Sequence, residues 1–444
     1  MKIVIAGAGE VGSHLAKLLV NEQEDILVVD ENRERLNVLD ANLNLMTLEG
    51  SPTSFKTLRE GFAGSCDLFI AVTPLESDNL VACSIAKNLG AAMTVARISS
   101  YDFMEERNRE LVSRMGVDRL IYPEYLAANE IATALRYSWA RHWFELQDGA
   151  LVVVGVKIRE GAQIIGMQLK ELAKTDHRFH ICAVKRGHEI IIPRGVDYIR
   201  QGDLMYVATL PDDVETLMRY AGKKARTIRR VLIMGGGKIA IRFAALASRD
   251  YKVKIIDNNY ETCRALPEKC PNCEIVYGDG RDTELLRDEG IEEYDAFVAL
   301  TGSSEANILT CLTAKELGVA KTIAEVENIQ YISQAENLNI GTIINKKLLA
   351  TSSIFQLLLD ADSSTSKCLA LADAEVAQLV AHPKAKVVGL PIRNLRLPQG
   401  MTIAGLVRDG VGMLVDGSTV IQAGDCVVVF TLSGLLHKVE KLFT

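Results

Sequence analysis

Short apolar runs alternate with amphipathic stretches from the first residues onward. Ile3-Val4-Ile5-Ala6, Ile26-Leu27-Val28-Val29 and residues 67–73 are apolar enough to be strands covered on both faces, and residues 44–48 and 94–98 read as two more. Between them the period becomes helical. Val11, Leu15, Leu18 and Leu19 recur at three and four, residues 55–59 make a short helix, and Glu76–Leu89 makes a long amphipathic one. Strand and helix in alternation predict a parallel sheet with helices on both faces, a doubly wound α/β domain of the Rossmann type.

After Tyr122 the pattern changes. Leu126, Ile131, Ala134 and Leu135 predict a helical connector that also holds Tyr137, Trp139, Trp143 and Phe144. An aromatic bridge after a completed sheet reads as packing against another domain or subunit. A small α+β unit follows, with strands at residues 151–156, 180–184, 189–192 and 203–208 and short helices at 169–173 and 212–220. Then the chain begins again. Gly235 answers Gly7, Thr301 answers Thr73, Asn307 answers Asn79 and Cys311 answers Cys83 at one constant spacing, while Asp257 answers Asp30 with a one-residue slip. Val388-Gly389 echoes Ile165-Gly166, and Gly424-Asp425 echoes Gly202-Asp203. The fold class is therefore a tandem duplication of a Rossmann-type domain followed by a small α+β domain.

Candidate chemistry sits where strands end. Gly7, Gly9 and Gly12 follow the first strand at G-x-G-x-x-G spacing and open a helix, and Asp30 closes the second strand about twenty residues on. In such a turn the first glycine permits the bend, the second lets backbone approach a pyrophosphate and the third lets helix pack on strand. The helix start offers free N–H groups to phosphate, and the acid accepts from a ribose diol. Thr73, delivered beside this loop by the fourth strand, is a further contact, and Arg97 at the end of the fifth strand is placed to face phosphates. The second copy repeats the loop as Gly235, Gly236, Gly237, Lys238 and Ile239, and the acid as Asp257. It is not chemically equal: Ala240 stands for Gly12, Glu325 for Arg97 and Lys238 for Glu10. The cation of a phosphate site thus moves from strand to loop, and the second copy is read as preferring a dinucleotide or remaining empty.

The chain has 444 residues with 50 basic and 57 acidic side chains, a net charge of −7 that speaks against a nucleic-acid binder held by backbone electrostatics. No apolar run reaches the length of a membrane span, and Met1-Lys2-Ile3 leads straight into a strand, so the expectation is a cytosolic protein whose membrane contact runs through a partner. Cys263, Cys270 and Cys273 cluster without a fourth ligand and read as reduced packing cysteines; His177 and His180 likewise read as surface histidines, so no metal is expected. Neither a Walker loop nor a nucleophile elbow is present, and no residue stands out as catalytic. The reading is a ligand sensor, with a nicotinamide-dependent oxidoreductase as the alternative.

The runs from Ile5 to Gly12, Val28-Val29-Asp30, Ala71-Val72-Thr73 with Asp78-Asn79, Val95-Ala96-Arg97 and Tyr122-Pro123-Glu124 together resemble the RCK (KTN) family of potassium-conductance regulators. The resemblance extends over nearly the whole chain. It implies N-terminal RCK domains at residues 1–123 and 228–348, connectors at 124–148 and 349–366, and C-terminal RCK domains at 149–224 and 367–444. It implies NAD or NADH contacts, with ATP or ADP as further ligands, at Gly7, Ala8, Gly9, Glu10, Val11, Gly12, Asp30, Thr73, Pro74 and Arg97. The second set is Gly235, Gly236, Gly237, Lys238, Ile239, Asp257, Leu300, Thr301 and Glu325. It also implies a homo-oligomer, a tetramer whose RCK domains form a ring on the cytoplasmic face of the inner membrane beneath a membrane-embedded potassium-uptake subunit, without nucleic acid. Which nucleotide is the signal, and the sign of gating, stay open.

Overall fold

A computed structural model describes residues 1–21, 24–61, 65–187, 189–362, 367–370, 374–432 and 435–444. The first sheet contains β1 (Lys2–Ala6), β2 (Asp25–Asp30), β3 (Met46–Glu49), β4 (Leu68–Ala71), β5 (Met93–Arg97) and β6 (Arg119–Ile121), all parallel, in the order β3-β2-β1-β4-β5-β6. β1 and β4 occupy the centre, where Ile5, Ala6 and Phe69 to Ala71 are wholly buried, as their unbroken apolarity requires. The order reverses between these two strands, so their carboxyl ends open a crevice.

Glycine shapes that crevice. Gly7 turns at φ +115°, and a Cβ on it would stand 3.1 Å from the Thr73 nitrogen. A Cβ on Gly12 would stand 1.9 Å from the Gly7 carbonyl oxygen, so only glycine lets the helix Glu10–Asn21 start against its own loop. Gly9 faces open space. Ala240 fills the position of Gly12 in the second copy with no exposure, so there the helix Lys238–Ala247 stands far enough away to seat a methyl.

The aromatic stretch after Tyr122 is not one helical connector. The helix Pro123–Arg136 is followed by β7 (His142–Leu146), the edge strand of the next sheet. Tyr137 stacks on Trp143 at 3.6 Å and Trp139 meets it edge-on at 6.4 Å. Trp143 packs with Val152 and Val154, so the aromatics complete the small domain's own core, which favours a strand for bulky alternating side chains. β8 (Leu151–Lys157), β9 (Phe179–Arg186), β10 (Glu189–Ile191) and β11 (Leu204–Thr209) finish this sheet in the order β10-β9-β11-β8-β7.

The third sheet repeats the first. β12 (Arg230–Met234), β13 (Lys252–Asp257), β14 (Cys273–Tyr277), β15 (Ala296–Ala299), β16 (Lys321–Glu325) and β17 (Thr342–Ile344) take the order β14-β13-β12-β15-β16-β17. The fourth repeats the second, with β18 (Lys367–Ala370), β19 (Ala374–Val380), β20 (Met401–Arg408), β21 (Val411–Met413) and β22 (Cys426–Leu432) in the order β18-β19-β22-β20-β21. Even the irregularities recur. Cys182 in β9 and Ala404 in β20 are each skipped by the pairing, a bulge at the same place in both sheets. The chain groups by packing into two units, one of Met1–Leu126, Lys346–Ala370 and Ser433–His437, the other of Ala127–Asn345, Leu371–Leu432 and Lys438–Thr444. In the first unit the helix Lys346–Asp362 packs on Glu10–Asn21, although it follows β17 in the chain. Residues 363–366 of the expected second connector lie outside the described residues.

In each small sheet a buried aspartate holds a partly exposed arginine. Asp203 takes Arg186 Nε at 2.9 Å and Nη2 at 2.8 Å together with the Arg200 amide, and Asp425 takes Arg408 Nε and Nη2, both at 2.7 Å, with the Gln422 amide. Burial raises the Asp425 carboxyl, but these bonds outweigh it and hold the group below the ordinary carboxylate range. Its stabilisation is therefore full above an unfolded pKa of about 3.9 and is lost only as pH falls through the lower folded value.

Two predictions follow from this packing. Asp425→Ala removes a buried carboxylate that takes both Arg408 nitrogens and the Gln422 amide, so the midpoint of denaturant unfolding at neutral pH should fall. Gly12→Ala forces helix from loop and should cost roughly 1–3 kcal/mol in the same measurement, whereas Ala240→Gly should cost about 1 kcal/mol, the ordinary helix penalty.

Candidate nucleotide-binding site

At the first crevice the acid and the loop are already bonded. Asp30, 9% exposed, accepts the Ala8 amide on Oδ2 at 2.6 Å and the Asn32 amide on Oδ1 at 2.7 Å. Asp257 does the same with Gly236 at 2.7 Å and Asn259 at 2.8 Å, so the one-residue slip in sequence leaves no slip in geometry. Each carboxylate ends its strand inside the crevice, and its position is fixed by its bonds to the glycine loop.

Thr73 and Thr301 are placed by two asparagines, Asn79 and Asn307, that the sequence does not mark as site residues. Asn79, wholly buried, accepts the Thr73 amide and hydroxyl, both at 2.8 Å, and donates to the carbonyls of Thr73 at 3.0 Å and Arg97 at 2.9 Å. Asn307 makes the same four bonds with Thr301 and Glu325. One amide thereby joins the ends of β4 and β5, and its twin those of β15 and β16. Pro74 is exposed beside Thr73. Val11, Ile239 and Leu300 are buried, so what they offer a ligand is backbone.

The charges are distributed less simply than the exchange of Arg97 for Glu325 suggests. Glu10, exposed at the start of the first loop's helix, pairs with Lys347 from the helix Lys346–Asp362. A cation therefore stands over the first loop in addition to half-buried Arg97 at the end of β5. No local signal marks Lys347, which belongs to the other repeat. In the second crevice Lys238 is exposed at a helix N-terminus, where the helix dipole disfavours a cation unless an anion is near. A cleft of about 250 Å³ opens there, lined by Gly235, Asp257, Asp279, Arg281, Thr301 and Ser303 among others. Arg281 bonds Asp279 at 2.6 Å and holds that carboxyl below its ordinary range. Both come from the loop after β14. Glu325 is 3% exposed and lies outside the residues lining this cleft.

The structure also places the cysteine cluster and the two histidines. Cys263 donates to the Asp257 carbonyl at 3.3 Å, and a thiol hydrogen bond between Cys270 and Cys273 pushes the former down and the latter up. His177 is exposed, but His180 is not a surface residue: it faces Thr402 with its Nε2 3.4 Å from the hydroxyl, and burial lowers its pKa. Among the described residues no helix is long and apolar enough to cross a membrane.

Comparison with known proteins agrees with this architecture. The model of the TrkA-N domain matches residues 3–123 and 231–346, and that of the TrkA-C domain residues 153–222 and 376–444. The Trk system potassium uptake protein TrkA of Vibrio alginolyticus is 32% identical over 453 residues, covering 100% of this chain and 98% of its own, and that of Halomonas elongata is 30% identical over the same shares. Among solved structures, the GsuK RCK domain superposes with a TM-score of 0.61 at 18% identity, covering 99% of this chain and 94% of its own. A GsuK channel bound to NAD gives 0.61 at 18% identity, covering 100% and 78%. With both domain models matched twice and relatives similar from end to end, the chain belongs to the TrkA family of potassium uptake proteins.

Proposed function

We propose that the chain is a nucleotide-sensing regulatory subunit of a potassium-uptake system and catalyses no reaction of its own. NAD or NADH binds at the first crevice, with its pyrophosphate over Gly9, its ribose diol on Asp30, and Thr73, Pro74 and Arg97 on the far side. The observation that carries the reading is the state of Asp30. A carboxylate has about four acceptor positions, and this one spends two on loop amides, leaving capacity for two ribose hydroxyls at a place the loop itself fixes. ATP and ADP share the ribose and phosphates and compete for the same place. In the second crevice Asp257 takes the ribose, while Lys238 and Arg281 supply the cations; that site prefers NAD or NADH. Relatives named as potassium uptake proteins along their full length, and a fold neighbour named as bound to NAD, support the assignment.

In this reading four chains form a ring of RCK domains on the cytoplasmic face of the inner membrane, docked under a membrane-embedded Trk-type uptake subunit. A nucleotide that binds one ring conformation better shifts the population toward it. A tenfold difference in affinity supplies about 1.4 kcal/mol per site, so several sites acting together move a gate substantially. The decisive experiment is titration of the full chain with NAD, NADH, ATP and ADP in competition, followed by potassium flux through vesicles holding the uptake subunit. Absence of nucleotide binding sinks the reading, and hydride transfer from NADH to a panel of carbonyl compounds replaces it with an oxidoreductase.

Two outcomes are expected at the first site, measured calorimetrically in protein whose second site is disabled by Asp257→Ala. Asp30→Ala removes a charged acceptor worth roughly 1.5–3 kcal/mol, so NAD affinity falls about ten- to a hundredfold, and NADP binds more weakly than NAD because its 2′-phosphate meets the carboxylate. Arg97→Glu lowers affinity for ATP about tenfold more than for NAD, since a triphosphate crowds more charge beyond the loop. Equal losses for the two ligands would turn Arg97 away from the phosphates.

A further inference from the structure

The second packing unit gathers a cluster of cations that the carboxylates beside it do not balance. Arg141, just before β7, bonds the side chain of Asn339. Lys315, at the end of the helix Ser304–Glu316, reaches the carbonyl of that same asparagine. Lys321 of β16 donates to the carbonyl of Ala140, Arg141's neighbour, at 3.1 Å and to Thr342 Oγ1 at 3.0 Å. Lys185 of β9 pairs with Glu336 at 2.7 Å, one turn before Asn339. Arg159 and Lys223, from the loops after β8 and after the helix Val214–Tyr220, are close enough to repel Arg141, and Arg159 also repels Lys315. Lys157 and His142 face the same field. Against these stand Glu336, Glu130 and Asp203, the last already paired with Arg186.

Burial and mutual repulsion together disfavour the charged forms. Burial first, and repulsion second, push Lys321 down to about 7, Lys223 to about 8 and Arg141 to about 10, while His142 falls to about 4 and is neutral. Lys321 is buried and the side chain of Lys185 only 11% exposed, so these charges lie below the surface and cannot be screened like a solvated face. Donors converge from strands β9 and β16, from the helix Ser304–Glu316, from the residue before β7 and from two loops. A compact ion with oxygens on every side satisfies such a set, and guanidinium forks match phosphate oxygens in pairs.

We propose that this cluster binds a small polyvalent anion of the phosphate class, with Arg141, Arg159, Lys223 and Lys315 as its ligands. The site is separate from both glycine loops and does not depend on the nucleotide reading. Binding returns Lys321 and Lys223 toward their ordinary basicity, so at about pH 8 the protein takes up protons as the anion enters.

The reporter is built in. The sequence has two tryptophans, and Trp139 and Trp143 flank Arg141. Inorganic pyrophosphate, titrated into the full chain at about pH 8, should change tryptophan emission saturably, with a calorimetric enthalpy that depends on the buffer's own ionisation heat. Arg159→Gln with Lys223→Gln should weaken this response about tenfold or more. Arg159 is exposed, so Arg159→Gln alone serves if the double variant does not fold. No saturable change at millimolar pyrophosphate overturns the proposal, as does an unchanged midpoint in the variants. A variant-sensitive change in assembly mass without an anion response also overturns it, because the cations would then meet an acidic face of a second copy.

Discussion

The side-chain amides of Asn79 and Asn307 hold the two crevices in shape. Where β4 and β5 run out, the ladder stops and leaves backbone groups that are buried and need partners. One amide meets that need on both strands at once, accepting from Thr73 and donating to Thr73 and Arg97. The fourth and fifth strands thus end at a fixed separation, and the threonine, the arginine and the glycine loop opposite them inherit their positions from it. A hydrophobic residue of similar size would fill the space but leave those groups unpaired.

The two copies show which constraints are geometric and which are chemical. Glu76 accepts the amides of Ser99 and Ser100 at 2.7 and 2.9 Å; in the second copy Ser304 occupies the same place and accepts those of Glu327 and Asn328 at 3.0 and 3.3 Å. The backbone need is the same and the group that meets it is not. Asp30 and Asp257, by contrast, are chemically identical and identically bonded. Divergence has been free where any acceptor suffices and absent where a carboxylate faces the crevice. Net charge around the loops has moved most, with Glu10 and Lys347 on one side and Lys238 and Arg281 on the other.

Much of this was legible in the sequence because it is local. A buried strand ending in G-x-G-x-x-G, an acid at the next strand's end and a threonine two strands later all depend on short spacings, and the structure brings them together at the switch point. What escaped reading depends on distance along the chain. Lys347 reaches Glu10 from the other repeat, the cationic cluster is assembled from six segments of the chain, and His180 is covered by Thr402 of the second small sheet. β7 was missed for another reason: apolar and aromatic residues at helical spacing run directly into the strand, and only the neighbouring β8 makes the strand the better place for Trp143.

The helix Lys346–Asp362 follows the second Rossmann sheet yet covers the first loop's helix, with Ala350, Ile354 and Phe355 buried. A chain of half this length, carrying one repeat, would have no such cover of its own. It would have to borrow the helix from a second molecule, and cover would then depend on concentration. Joining the repeats end to end makes that encounter intramolecular, at an effective concentration in the millimolar range for a short tether. Duplication thus freed the contact from dilution. It also let each partner's residues change without matching changes in an identical twin, which a symmetric pair of half-length chains could never allow.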